Sequence, residues 1–339
     1  MRVGMVGAGW VTQYHLPGWA AVDGADVVAI CDPDGEAASD RARAFGIGAQ
    51  FDTIEAMLDG AELDALDICS PRPLHAPHVR AGAARGLALL CQKPLGVDLG
   101  EAEALVADTE GRARLMVHEN WRFRPYYRRL AAWLREGVVG DIVSIRFEFH
   151  SSGMLPGPDG ARPALVRQPF FRSLDRLLVM EVLIHHLDTL RFLFGEFDMV
   201  TARLGRSNSE IIGEDSAILT LSRRGDGVPL SISGNLAVHG APPAPIDRLS
   251  IYGSKGTILL EDADLRLVGA ELRHAPFDAR ESYQAAYGAA IRHFVEQTRS
   301  GAPYETSPQD NLETLRLVER AYTLSGFEAC ASAASPQLA

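Results

Sequence analysis

Up to about residue 118, short apolar runs alternate with amphipathic stretches. The runs are Val3–Val6, Val27–Cys31, Ala65–Cys69, Ala88–Cys91 and Leu115–His118. Helical periodicity fills the gaps, over Thr12–Val22, Glu36–Phe45, Thr53–Leu58, His75–Arg85 and Leu99–Thr109. Uninterrupted apolar strands between helices predict a parallel sheet covered on both faces. Near residue 120 the pattern changes. A helix is expected over Tyr126–Glu136, stopped by Gly137. After it, Ile142–His150, Met199–Leu204, Ser216–Ser222, Pro229–Val238, Arg248–Tyr252 and Thr257–Leu260 look like antiparallel strands, with the clearest alternation in IVSIRFEF and LSISGNLAV. Gly253-Ser254-Lys255-Gly256 has the composition of a hairpin turn. Helices near Tyr283–Arg299 and Pro308–Leu324 close the chain, and the small, polar tail past Ala329 is expected to fray. The fold class is α/β. A doubly wound parallel sheet (residues 1–120) precedes a second domain of mainly antiparallel strands with helices (residues 121–330), and the last helices are free to pack back on the first domain.

The ends of the early strands carry the candidate chemistry. The first strand breaks into Gly7-Ala8-Gly9-Trp10-Val11-Thr12, a G-x-G turn with threonine where a third glycine or alanine usually stands. Such a turn opening a helix aims backbone N–H groups and the positive end of the helix dipole at one spot, which suits a pyrophosphate. Gly7 permits the tight turn, Gly9 lets a phosphate approach, and Trp10 and Val11 complete the cofactor-lining loop. Asp32 ends the second strand and is placed to hydrogen-bond adenosine ribose hydroxyls. No Lys or Arg follows until Arg41 to neutralise a 2′-phosphate, so NAD is favoured over NADP. Ser70, His75 and Gln92-Lys93 belong to two later strand-end turns, SPRPLH and QKP, where ligands of such sheets bind. Lys93 precedes Pro94 and is confined to extended backbone. It is the candidate functional lysine; His75 reads equally as a first-turn helix residue.

The second candidate lies in Leu174–Phe194, apolar nearly all round and therefore expected to be one buried helix. Glu181, His185 and Asp188 are set into it, within an arc of about 60° at the helical period, and His186 points elsewhere. The stripe reads as a self-satisfied buried set, as an acid/base set facing a cleft, or as a metal site. A metal reading lacks an evident fourth ligand.

Composition narrows the classes. The net charge of −11 without a basic run argues against nucleic acid or an anionic membrane as partner. No apolar run of about 18 residues is available for a membrane span, and the N-terminus has no signal-peptide pattern. Cys31, Cys69, Cys91 and Cys330 are scattered and suit reduced, buried thiols in a cytoplasm. The Gly/Pro-rich stretch Ser151–Gln168 is long enough for a lid or an interface arm.

Taken together, GAGWVTQYHLPGW, CDPD, SPRPLH, CQKPLGVD, NWRFRP and EVLIHHLD resemble the Gfo/Idh/MocA family of oxidoreductases, which includes glucose–fructose oxidoreductase and inositol dehydrogenase. The likeness spans nearly the whole chain in order. It implies a Rossmann domain, a C-terminal α/β domain whose large open sheet forms a homodimer or homotetramer interface, a nicotinamide cofactor, and a sugar, polyol or sugar-acid substrate. Lys93 matches the lysine of the family's E-K-P motif, and His185 and Asp188 match its D-x-x-x-H-x-x-D stretch. Two departures stand out. Gln92 replaces a glutamate beside Lys93, and Glu181 replaces an aspartate.

The expected reaction is oxidation of a secondary alcohol by NAD+. His185 and Lys93 are both candidates to take the hydroxyl proton; a cationic Lys93 would instead stabilise the developing alkoxide, with Glu181 beside them. Rivals are transient oxidation without net NADH (a sugar-acid isomerase or decarboxylase, or an NAD-dependent glycosidase) and a non-catalytic NAD-binding regulator. Arg122, Arg124, Arg162, Arg167, Arg172 and Arg176 are a local excess in an acidic chain. They read either as structural ion pairs or, for Arg122 and Arg172 with Asp188 nearby, as a substrate-binding set that clamps a carboxylate.

Overall fold

The computed structural model describes residues 1–329; the expected frayed tail and Cys330 lie outside them. The chain divides into two compact units. One comprises Met1–Arg124 and Arg280–Arg316; the other comprises Pro125–Ala279 and the chain from Leu317 on.

In the first unit, strands β1 (Arg2–Val6), β2 (Asp26–Cys31), β3 (Ala49–Phe51), β4 (Ala65–Ile68), β5 (Ala88–Gln92) and β6 (Leu115–His118) form one sheet. The order is β3-β2-β1-β4-β5-β6 and every pairing is parallel. Strand order reverses between β1 and β4, which makes their carboxyl ends the switch point of a doubly wound fold. Helices α1 (Thr12–Ala20), α2 (Gly35–Phe45), α3 (Ile54–Gly60), α4 (His75–Ala84) and α5 (Leu99–Thr109) are the crossovers. Asp34, Thr53 and Asp98 cap α2, α3 and α5 by accepting from first-turn N–H groups, a contribution of about 1 kcal/mol each. The three-residue β3 has too few apolar positions to register as a strand in the sequence.

The first unit is completed from far along the chain. Helix α9 (Ala279–Ser300) contributes Ala286, Ala290, Ile291 and Phe294 to the same core as Met5, Trp19, Ile30 and Met116. The segment after it runs along β6. Val117 N–H donates to the Thr306 carbonyl (2.9 Å), and Thr306 Oγ1 donates back to the Val117 carbonyl (2.7 Å). Arg114 donates to the carbonyls of Gln297, Gly301 and Ala302.

The second unit opens with α6 (Pro125–Arg135) and holds an eight-stranded sheet. Its strands are β7 (Ile142–His150), β8 (Phe197–Gly205), β9 (Ser216–Arg223), β10 (Pro229–Asn235), β11 (Ile246–Gly253), β12 (Gly256–Glu261), β13 (Asp264–Gly269) and β14 (Arg273–Pro276). The order is β14-β13-β12-β11-β7-β10-β9-β8, antiparallel except for β7 with β10. Strands β13 and β14 extend it beyond the sequence expectation. Period-two patterning separates the faces: Phe147, Leu219, Ile232, Ile251 and Leu260 are buried, while Ile218, Tyr252, Leu259 and Val268 are exposed. The long loop contains one short helix, α7 (Pro163–Arg167).

The expected single helix over Leu174–Phe194 is corrected in two ways. It starts at Leu178, and its first six residues, Leu178–Leu183, form a π-helix before α8 (Ile184–Phe194). The wider π turn changes the angular step, so Glu181 and His185 are not related by the 3.6-residue period assumed from spacing. A last helix, α10 (Pro308–Ser325), ends the described chain.

Candidate active site

The turn after β1 is built for close approach. Gly7 has φ +103°, and a Cβ there would lie 2.9 Å from the Cys69 carbonyl, so a side chain is excluded twice over. Its N–H donates to the Cys31 carbonyl at 2.8 Å. A Cβ built on Gly9 meets nothing within 4 Å, so the space above it is open to a phosphate. Thr12 Oγ1 donates to the Gly9 carbonyl at 2.7 Å and is fully buried, so threonine closes the loop from inside where a glycine usually stands. Asp32 receives the Ala8 N–H on one oxygen (2.7 Å) and the Asp34 N–H on the other (2.8 Å). Its carboxylate is thereby fixed at the rim of the turn, only partly buried. Trp10 is 43% exposed and meets Tyr14 edge to face, and Val11 is the residue entering α1. This cradle fits the pyrophosphate and adenosine ribose of NAD.

The two later strand ends are braced together by His75. It is buried, and its ring nitrogens lie 2.7 Å from the Pro94 carbonyl and 2.9 Å from the Ser70 carbonyl. His75, expected among the cofactor groups, thus binds backbone, and Ser70 Oγ pairs with His78 Nδ1 at 2.9 Å. Burial holds the His78 imidazole below its ordinary pKa. Lys93 is partly exposed and joined to Pro94 by a cis peptide bond.

Through Gln92, the residue before Lys93, runs a buried polar chain that spacing alone did not suggest. Asp67 Oδ2 accepts from Trp19 Nε1 (2.6 Å) and pairs with His15 Nδ1 (2.7 Å). Gln92 Nε2 lies 2.6 Å from His15 Nε2 and 3.1 Å from His118 Nδ1. An amide nitrogen only donates, so Gln92 offers an N–H to both imidazoles. The family's glutamate at position 92 would instead demand two N–H donors. His15, Asp67 and His118 are fully buried. Burial alone would raise the Asp67 carboxyl, but His15, His118 and Trp19 together hold it below its usual value. The sequence signal was a lone acid in the apolar run Ala65–Cys69. His15, Asp67 and Cys69 offer ligand atoms within 4.8 Å of one another, but Cys69 Sγ and His15 already bond the Asp67 oxygens.

In the second unit, Glu181 and His185 are partly exposed, whereas Asp188 is fully buried. Thr189 Oγ1 donates to the His185 carbonyl (2.8 Å). His186 turns into the core, where it bonds Asp247 (3.0 Å), which also accepts from Tyr127 (2.8 Å) between Phe147 and Phe149. The arginine excess is largely matched by acids within each unit. Arg122 is buried and bonds Asp310 (2.7 Å) and the Glu305 carbonyl. Arg162 and Arg172 share Glu210, and Arg176 pairs with Glu319. Arg124 stacks over Trp121, 3.5 Å from the ring centroid.

Residues 1–119 match the oxidoreductase family with the NAD-binding Rossmann fold, and residues 127–259 match the GFO/IDH/MocA C-terminal domain. A D-apiose dehydrogenase of Paraburkholderia graminis is 34% identical over 94% of this chain and 86% of its own. An inositol 2-dehydrogenase of Rhizobium meliloti is 28% identical over 95% and 96%. Among solved structures, an oxidoreductase from Agrobacterium radiobacter in complex with NAD+, L-tartaric acid and magnesium superimposes with a TM-score of 0.88 at 29% identity, covering 96% of both chains. The glycine turn, the acid that ends β2 and both domain matches agree: this chain is an NAD-binding oxidoreductase of the Gfo/Idh/MocA family.

Proposed function

We propose that the protein is an NAD-dependent dehydrogenase of a neutral sugar or polyol, oxidising a secondary alcohol. When bound, NAD+ supplies the hydride acceptor. The carbinol C–H leaves as hydride, the hydroxyl proton goes to a base, and the carbon–oxygen bond becomes a carbonyl. His185 is the assigned base and Lys93 the cation that stabilises the alkoxide as it forms. Gly7, Gly9, Trp10, Val11 and Asp32 are assigned to the cofactor, with Ser70 and Gln92 beside them.

The observation that carries the neutral substrate is the matching of arginines by acids. Arg122, Arg162 and Arg176 are held by Asp310, Glu210 and Glu319, which weakens the reading that they clamp a substrate carboxylate. The names of the apiose and inositol dehydrogenase relatives support the same class. A sugar acid remains the second reading. It is favoured by the L-tartaric acid bound to the Agrobacterium relative and by Arg172, which is 46% exposed. A screen of D-apiose, pentoses, hexoses, inositols and aldonates, following NADH, tests both. Highest kcat/KM on a neutral compound is expected. An aldonate ahead of every neutral sugar would reverse the assignment. Substrate conversion without NADH would mean transient oxidation, as in an isomerase or a glycosidase.

A further inference from the structure

The helix carrying Glu181 and His185 does not start on a side-chain cap of its own; Leu177, at its N-cap position, has none to offer. The partner comes from Gly213-Glu214-Asp215, on the approach to β9. Gly213 has no room for a side chain, since a Cβ would lie 2.6 Å from the Leu174 carbonyl and 3.1 Å from that of Asp175. That approach brings Glu214 under the first turn. The Leu177 N–H donates to Glu214 Oε2 (3.1 Å), the Val179 N–H to Oε1 (2.9 Å), and the Leu178 N–H between them to the Glu214 carbonyl (3.2 Å). The Tyr322 hydroxyl, from α10, also donates to Oε1. Glu214 is fully buried. Burial pushes its carboxyl up, and the donated hydrogen bonds act against that rise.

The neighbouring residue ties the same tripeptide to the long loop. Asp215 accepts from the Ser207 and Asn208 N–H groups and from Ser207 Oγ. Asn208 Oδ1 accepts from the Glu210 N–H (2.9 Å), and Glu210 in turn holds Arg162 and Arg172.

We propose that Glu214 is a positioning residue for the reaction: it fixes the start, and hence the register, of the π turn that presents Glu181 and His185. This rests on the acid/base reading of His185. A carboxylate is required because two N–H groups call on different oxygens. Glutamine at that place must turn its NH2 toward one of them, which leaves a buried donor facing a donor. Displacement of a reacting group by about 1 Å can cost about 100-fold in rate.

The test measures kcat, substrate KM, NAD+ affinity and the kinetic isotope effect. It uses D-apiose and myo-inositol, each with and without deuterium at the carbinol carbon. The variants are Glu214→Gln, Glu214→Asp, Tyr322→Phe and His185→Ala. For Glu214→Gln, kcat is expected to fall about 10- to 100-fold, with NAD+ affinity within about twofold and a larger isotope effect on kcat as hydride transfer becomes limiting. Glu214→Asp, which keeps both oxygens, should recover part of the loss. Tyr322→Phe should shift kcat and the isotope effect in the same direction, less far. A purely structural role would lower the active fraction and leave the isotope effect alone. Wild-type kcat and isotope effect in folded Glu214→Gln would overturn the proposal, as would an unaltered Tyr322→Phe should Glu214→Gln fail to fold. Full turnover by His185→Ala would instead overturn the reading of the site beneath it.

Discussion

At the scale of single residues, charge and hydrogen-bonding capacity decide what each group can do. Asp32, the residue proposed for the adenosine ribose, has both carboxylate oxygens anchored by backbone N–H groups. A 2′-phosphate would meet that fixed charge, so calorimetry should find NAD+ bound more tightly than NADP+, and Asp32→Ser should narrow the gap. Equal affinities in the wild type would contradict this. Lys93→Ala and His185→Ala should each lower turnover by about two to four orders of magnitude; NAD+ binding should survive the His185 change, since that residue belongs to the second unit. Asp67 makes a further prediction. Folding depresses its pKa, so its stabilising contribution is complete above the ordinary aspartate range and is lost only as pH falls through the depressed value. Asp67→Asn should cost about 2–3 kcal/mol at pH 7, and melting curves should show that deficit shrinking toward pH 3. The glycines, Asp32, Lys93 and His185 could be singled out as candidates from the sequence because each sits in a short motif. The Asp67–His15–Gln92–His118 chain was not, because its members come from α1, β4, β5 and β6 and meet only when the sheet is assembled.

At the scale of elements, sequence periodicity found nearly every long helix and strand, because burial on one face leaves a repeat of two or 3.6. It failed where the repeat was too short, as in β3, and where the backbone left the α-helical step, as in Leu178–Leu183. Nothing in the composition of that segment marks a π turn. Its geometry follows from Glu214, more than thirty residues away. Strand placement also fixes thiol chemistry. Cys31, Cys69 and Cys91 lie at strand ends inside the first sheet. Burial pushes Cys31 up to about 12, and pushes Cys69 and Cys91 well above the usual thiol value. In native protein at pH 8, iodoacetamide should leave these three unmodified, and peptide mapping should find them alkylated only after denaturation. Rapid labelling of Cys69 or Cys91 in the folded state would show that β4 and β5 open.

At the scale of the whole molecule, the second sheet presents Ile218, Tyr252, Leu259 and Val268 on its outward face beside Arg146, Glu148, Arg248 and Glu261. The homodimer or homotetramer expected from the family resemblance would form across that face. Sedimentation should find an oligomer that Ile218→Lys with Leu259→Lys dissociates, and a monomeric wild type would refute it. The other whole-chain feature is that the first unit is assembled from two distant pieces, with Phe294, Ile291 and Thr306 filling and edging the sheet that began at Arg2. On a ribosome, this means that the 155 residues Pro125–Ala279 of the second unit emerge between the opening and the completion of the nucleotide-binding unit. The usual order, N-terminal domain first, is therefore unavailable here. Until α9 has been synthesised, the nascent Rossmann sheet lacks Ala286, Ala290, Ile291 and Phe294, and the part of its core that they complete stays uncovered.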